Sequence, residues 1–360
     1  MRRGGRDEKR AVGDKAASQK TVTKRSAARL ARVVAGIAAV AAVVTSAPAT
    51  QPVTDPYWIG DFRSGDYCQF ATVFQSTTVN PSMSPRGYLP ACPQYTPYAR
   101  DSNQRVYLTH RPAPPAHVAS RWVSHQELRT TDGPWFPNFS TAKSTIRLTT
   151  EQTMNGSFGM DTVRWFRMSF YLPNPGFNWP ASSWYTLMDL HNSETDPAGN
   201  DWSTLELMVT PTSGNRRYIA LALDGVAART NYEEVRLLQL TKADGSRITA
   251  TGKRPTRRGR RPAPRPLLPF NRWHTLALGV KFSDQGGIGS SPGWVTIYFD
   301  GKLVYAKARP NVWANETGVW LQLQNYKYQA SAFVDGATSS IVNFADARLG
   351  YTLASVSRGD

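Results

Sequence analysis

The chain has 360 residues, 40% hydrophobic and 19% charged, with 11 Trp, 15 Tyr and 14 Phe, and a formal net charge of +17. That much apolar and aromatic material excludes a disordered chain and is enough for the core of one large β domain or two smaller ones. The charge is local: eleven Lys/Arg against three Asp/Glu fall in residues 1–32, and seven cations without an acid fall in 253–265. The rest is close to neutral, so no uniformly basic nucleic-acid-binding surface is expected, and no nucleic-acid-binding motif is present.

Residues 1–49 read as a basic region, then an uncharged Ala/Val-rich run from Val33 to Val44, then Thr45-Ser46-Ala47-Pro48-Ala49. This is the layout of a secretory signal with a small-residue cleavage site, so the chain is expected to be secreted. Twelve apolar residues are short for a bilayer span; an uncleaved, outward-facing membrane anchor is the alternative. Cys68 and Cys92 are the only cysteines, and an oxidising compartment lets them pair as a disulfide.

Residues 50–360 are expected to form one domain. Short strands are predicted at 67–74, 106–109, 121–129, 144–150, 163–172, 184–192, 205–210 and 218–223. Residues 233–240 are compatible with a turn or two of helix. The stretch 241–269 interrupts the pattern; its Arg/Pro-rich part, 253–265, reads as a solvated insertion or as an electrostatic arm for an anionic polymer. Strands resume at 273–282, 295–299, 302–307, 318–328 and 342–351, with Asp300-Gly301 a two-residue hairpin signal. Many short strands without alternating helices predict an all-β, antiparallel β-sandwich of jelly-roll type.

Three of these strands carry the functional signal. In Trp320–Gln329, Leu321 and Leu323 share one face, while Gln322, Gln324, Tyr326 and Tyr328 share the other. In Tyr185–Asn192, Asp189 and His191 oppose Met188 and Leu190. In Arg121–Arg129, His125, Glu127 and Arg129 oppose Trp122, Gln126 and Leu128. Amides, phenols and ionisable groups in rows suit a sugar-binding surface, expected on the concave side of a curved sheet. The paired carboxylates that a glycoside hydrolase needs are not apparent.

The three strands resemble those of jelly-roll polysaccharide lyases, the alginate lyase-like and heparin lyase I-like proteins of concanavalin A-like fold. His125-Gln126-Glu127-Leu128-Arg129 is similar to an R-[ST]-E-L-R strand, Asp189-Leu190-His191 to Q-[IV]-H, and Trp320–Tyr326 to Y-F-K-A-G-x-Y. The segments Gly60–Phe70, Asn271–His274 and Val295–Val304 are similar to the heparin lyase I-like branch. The resemblance implies β-elimination on an acidic polysaccharide, with His191 as base, Tyr326 as acid and Arg129 neutralising the uronate carboxylate. Gln69, His125, Glu127, Asp189, Asn192, Gln322, Gln324 and Tyr328 are then expected to bind substrate. Asp189 replaces the family glutamine, so it is expected to pair with Arg129 or Arg167, or to orient His191. A lectin-like, non-catalytic module on the same fold is the alternative. No cofactor is required, with calcium the one possible ion and no recognisable metal site; a monomer is expected. His274, in phase with Leu276 and Leu278, is read as structural.

Overall fold

The structure, a computed structural model, describes residues 58–70, 72–75, 88–90, 104–132, 141–148, 161–181, 183–192, 203–210, 216–223, 232–248, 269–283, 292–312, 319–328 and 332–357. The N-terminal segment, Cys92 and the basic run 253–265 lie outside these residues. The described strands are β1 (Trp58–Gly60), β2 (Thr72–Gln75), β3 (Tyr88–Pro90), β4 (Val106–Thr109), β5 (Val123–Arg129), β6 (Thr141–Leu148), β7 (Val163–Tyr171) and β8 (Tyr185–Asn192). They continue with β9 (Ser203–Val209), β10 (Tyr218–Leu223), β11 (Glu233–Gln239), β12 (Trp273–Lys281), β13 (Trp294–Phe299), β14 (Lys302–Ala308), β15 (Val319–Tyr328) and β16 (Ser339–Gly350). One short helix, α1 (Leu353–Ser357), follows.

The strands form two antiparallel sheets. The first runs β14-β13-β12-β7-β16-β5-β4, with β1 also paired to β16; the second runs β11-β10-β9-β8-β15-β6-β2-β3. Alternation decides what each sheet buries. From the first, Phe166, Met168, Phe170, Leu276, Leu278, Val342 and Phe344 enter the shared core; from the second, Met188, Leu190, Leu205, Leu207, Leu221, Leu321 and Leu323 do. Fully burying side chains of this size contributes about 1.5–3 kcal/mol each. The chain is therefore a β-sandwich of jelly-roll type.

Two local expectations meet different outcomes. Asp300 and Gly301 take positive φ of 47° and 74° between β13 and β14, the geometry a two-residue hairpin turn requires. Residues 233–239, compatible with helix by composition, instead form β11, an edge strand paired to β10. Val235 and Leu237 pack against the core, and the Arg236 guanidinium lies 4.8 Å from the Tyr218 ring centroid. Cross-strand contact outweighs helix propensity here. The interruption after β11 opens with a folded turn: Thr241 bridges to Arg247, and Lys242 and Ser246 share a backbone hydrogen bond.

Between the sheets runs a polar clasp under the middle of β15. The Asn325 amide donates to the carbonyls of Gln126 (3.1 Å) and Ser340 (3.0 Å). Its Oδ1 accepts from the Tyr185 hydroxyl at 2.6 Å, which also lies 2.7 Å from Ser340 Oγ. Gln126 Nε2 donates to the Leu323 carbonyl at 3.0 Å. Burial drives the Tyr185 phenol well above its ordinary pKa, which keeps it a neutral donor. Gln126 Oε1 has no partner, while the other side-chain groups named here are matched, and such contacts favour one register of the two sheets.

Candidate active site on the outer face of the second sheet

With Leu321 and Leu323 turned inward, β15 sends Trp320, Gln322, Gln324 and Tyr326 outward. From β8, Asp189 and His191 face the same way. The register sets His191 beside Trp320, Asp189 beside Gln322, and Thr186 beside Tyr326; on the next strand Glu206 stands beside Asp189. The His191 and Trp320 rings stack with centroids 5.1 Å apart. The Tyr326 ring meets Trp184 edge-on at 4.6 Å. On the far side of β15, β6 sets Arg147 across from Gln322 and Lys143 across from Tyr326.

Two side chains in this row are held in an unusual state. Gln324 is fully buried, and neither its Oε1 nor its Nε2 has a hydrogen-bond partner. Asp189, 4% exposed, accepts from Ser203 Oγ at 3.0 Å through Oδ2, while its Oδ1 has no partner. A buried, unmatched polar group costs about 1–3 kcal/mol. Three such atoms, Gln324 Oε1 and Nε2 and Asp189 Oδ1, fall in this one row.

The structure does not bring the expected catalytic residues together. His125, Glu127 and Arg129 lie on β5, a strand of the first sheet. Gln126 on the same strand reaches across to β15, so by alternation the other three face away from the second sheet. They sit on the opposite side of the sandwich from His191. His125 Nδ1 lies 3.1 Å from Asn343 Oδ1, with its ring stacked on Tyr107 at 4.4 Å. Arg129 is bound to Glu127 at 2.7 Å, and that hydrogen bond raises its pKa. Alternation reveals which residues share a face of their own strand, but not which sheet the strand joins.

His191 and Tyr326 share a face but are not opposite one another. Their register positions on β15, Trp320 and Tyr326, are six residues apart, or roughly 20 Å along a strand. Asp189 pairs with neither expected arginine, because Arg129 is taken by Glu127 and Arg167 by Asp346 at 3.1 Å. The Gln69 amide is engaged in its own turn: Oε1 accepts from Phe62 N at 2.9 Å, and Nε2 donates to Asp61 at 3.4 Å. Asn192 stands in register with Val319 and Tyr328 with Thr141. His274 is structural, buried between Asp300 Oδ2 (3.0 Å) and the Pro269 carbonyl (3.2 Å). Among the described residues no cluster of three or more His, Cys, Asp or Glu is set to hold a metal ion.

Sequence reasoning passed over Ser203, Glu206, Trp184 and the cations of β6. The Lys143-x-Thr145-x-Arg147 alternation was the available signal, but only its pairing to β15 shows that it borders the site.

Lys327 lies directly behind this face, 1% exposed, with its ammonium 4.2 Å from the Phe333 ring centroid. Burial lowers its pKa to about 8, partly opposed by the charge of Asp132. Between pH 8 and the unfolded lysine's value near 10.4, the folded chain has released a proton that the unfolded chain keeps. Stability therefore rises with pH across that window and is flat below it. Replacing Lys327 by Met is expected to add about 2 kcal/mol of stability at pH 7 and to remove the rise. Urea midpoints at pH 7 and pH 10 check both; an unchanged slope in the variant would contradict the assignment.

The chain matches the family model described as "Polysaccharide lyase" over residues 123–346, more than half its length, and belongs to that family. It is therefore a carbon–oxygen lyase acting on polysaccharides. A search of curated proteins gives no match. Similar solved structures include an endo-β-1,4-glucuronan lyase from Trichoderma reesei, with 11% identity, TM-score 0.46, and coverage of 70% of this chain and 88% of that one. An alginate lyase from Klebsiella pneumoniae shows 9% identity, TM-score 0.46 and coverage of 78% and 95%. A marine alginate lyase from Zobellia galactanivorans shows 9% identity, TM-score 0.44 and coverage of 79% and 95%.

Proposed function

We propose that the chain is an exported lyase that cleaves a uronic-acid polysaccharide by β-elimination, with the reaction centred on Tyr326. The substrate class follows from the chemistry. A lyase breaks the C4–O bond without water, so a proton must leave C5, and only a neighbouring carboxylate gives that carbon usable acidity. The site must then stabilise charge developing on the carboxylate. The observation that carries the reading is the unmatched Gln324 amide, buried two residues from Tyr326 on the same face.

In this reading the Tyr326 oxygen, as phenolate, takes the C5 proton. The C5–H electrons form the C4=C5 bond, the C4–O4 pair leaves on O4, and the phenol returns its proton there. The Gln324 amide hydrogen-bonds the substrate carboxylate. Arg129, on the other sheet, has no part in this reading; the β6 positions in register with Gln322 and Tyr326 are 147 and 143. His191 stacked on Trp320 supplies a platform for a sugar residue farther along the cleft, and Asp189 with Glu206 accepts sugar hydroxyl groups. Proton transfer by a positioned side chain contributes about 10²–10⁴-fold.

The test follows unsaturated product by ultraviolet absorbance with alginate, polyglucuronate, heparin and chondroitin sulfate. Binding without new absorbance on every substrate would overturn the reaction and leave a glycan-binding protein. Gln324→Met gives a second, opposed signature. Removing the orphan amide is expected to stabilise the fold by about 1 kcal/mol while activity falls. A variant both less stable and fully active would contradict the role given to Gln324.

Export, and pairing of Cys68 with Cys92, belong to the same proposal. They rest on the layout of residues 1–49 and on there being no free cysteine among the described residues. Mass mapping of the secreted chain tests both: an intact Met1 removes the cleavage, and two alkylatable thiols remove the bridge.

A further inference from the structure

Asp189 stands near the middle of the second sheet, with Glu206 beside it on β9 and Gln322 beside it on β15. Met188, Leu190, Leu205 and Leu207 enter the core, so alternation turns Asp189 and Glu206 to the same outer side. Ser203 Oγ donates to Asp189 Oδ2 at 3.0 Å. That bond fixes the carboxylate and leaves Oδ1, buried and without a partner, as its open oxygen. Thr186 Oγ1 donates to Glu206 Oε2 at 3.5 Å.

What two adjacent acids can accept is narrow. A carboxylate oxygen takes a hydrogen bond from a hydroxyl or an N–H and has none to give to another carboxylate. A uronate placed here would also meet like charge, and that repulsion grows where water is excluded. Opposite charge stands farther off. Position 147 of β6 is two strands from Asp189, roughly 10 Å across the sheet, whereas Glu206 is one strand away. His191, two positions along β8, is stacked on Trp320. A non-acidic sugar meets no repulsion, and one of its hydroxyl groups can supply the donor that Oδ1 lacks. Tyr326 lies four residues along β15 from the Gln322 position, or roughly 13 Å. The two side chains therefore meet different sugars of one polymer.

We propose that Asp189 is a specificity-determining residue: it makes its position in the cleft a subsite for a non-acidic sugar and excludes a uronate there. The preferred substrate is then a mixed polymer, with a uronate at Tyr326 and a neutral sugar at Asp189, rather than a uniform polyuronate. This rests on the reading of the face as the cleft of a lyase acting at Tyr326.

Initial rates of the secreted chain and of Asp189→Asn test this on two polymers. One is polyglucuronate; the other is the same polymer with part of its carboxylates reduced to primary alcohols. Asparagine keeps the size of the side chain and can still accept from Ser203, but it removes the charge. It is expected to raise kcat/KM on polyglucuronate about tenfold, and on the partly reduced polymer about twofold or less. The second polymer gains less because it already offers neutral sugars. A merely structural role would change both polymers alike, and that result would overturn the proposal, as would a fall confined to polyglucuronate. Should Asp189→Asn fail to fold, Glu206→Gln removes the neighbouring charge and is expected to act in the same direction, by about threefold. A preference for polyglucuronate that needs calcium and is lost with a chelator would put a metal ion between the acids and the uronate, and would also overturn it. If neither polymer yields unsaturated product, the reaction at Tyr326 fails by itself. Isothermal titration with the same polymers and variants then reads the selectivity of Asp189 directly, with the same contrast expected in binding and equal affinities overturning it.

Discussion

Tyr326→Phe is expected to lower kcat by about 10³-fold with KM changed less than about threefold. Phenylalanine keeps the ring that meets Trp184 edge-on at 4.6 Å, so the fold and the shape of the cleft should persist. Only the oxygen that moves the proton is lost. An interaction made in the transition state but not in substrate binding shows itself in kcat. His191→Ala should behave differently. Its ring is committed to Trp320, six residues along β15 from Tyr326, so its loss should raise KM several-fold and leave most of kcat. The pair of variants is therefore a ruler laid along β15. If His191→Ala costs as much kcat as Tyr326→Phe, both side chains reach one sugar residue and the division of roles fails. Initial rates across a range of polymer concentrations separate the two outcomes.

Much of the architecture was legible because strand alternation is a local property. Trp320–Tyr328 could be read as half core and half ligand surface, and the Asp300-Gly301 hairpin needed nothing beyond its own two residues. Glu233–Gln239 was harder, since good helix formers on an edge strand are held by the neighbour β10 rather than by their own preference. The site was legible to the same depth and no further. His191, Gln324 and Tyr326 were identified as facing one way, yet their spacing was not. Register depends on bulges such as the one between Leu323 and Tyr326, which leave no mark in a single strand's sequence. Sheet membership was hidden for the same reason: His125-Gln126-Glu127-Leu128-Arg129 looks like a cleft strand until β4 and β16 claim it.

The two outer faces divide the charged groups in a way that gives Arg129 another use. Its backbone N–H donates to Asp132 Oδ2 at 2.8 Å. Asp132, 1% exposed, also receives Arg105 Nε at 3.0 Å on both oxygens and Arg105 Nη2 at 2.8 Å. Arg105 is itself 5% exposed and precedes β4, so this pair ties the end of β5 to the start of its neighbour. Asp132→Ala is expected to cost about 3–5 kcal/mol, because it leaves a guanidinium buried without its counter-ion. The loss should far exceed that of Glu127→Ala, whose partner Arg129 is 39% exposed in its side chain and belongs to a class of ion pair contributing under about 1 kcal/mol. Removing both charges as Arg105→Met with Asp132→Leu should recover most of the stability, since the penalty comes from the unpaired charge and not from loss of the pair as such. Asp132 also opposes the depression of the Lys327 pKa, so the alanine variant should push that lysine lower and move the alkaline rise in stability to lower pH. Urea unfolding of the three variants at pH 7 decides the matter. A loss under about 1 kcal/mol in Asp132→Ala would mean that water or another group reaches Arg105, and that the β4–β5 corner is held by its backbone alone.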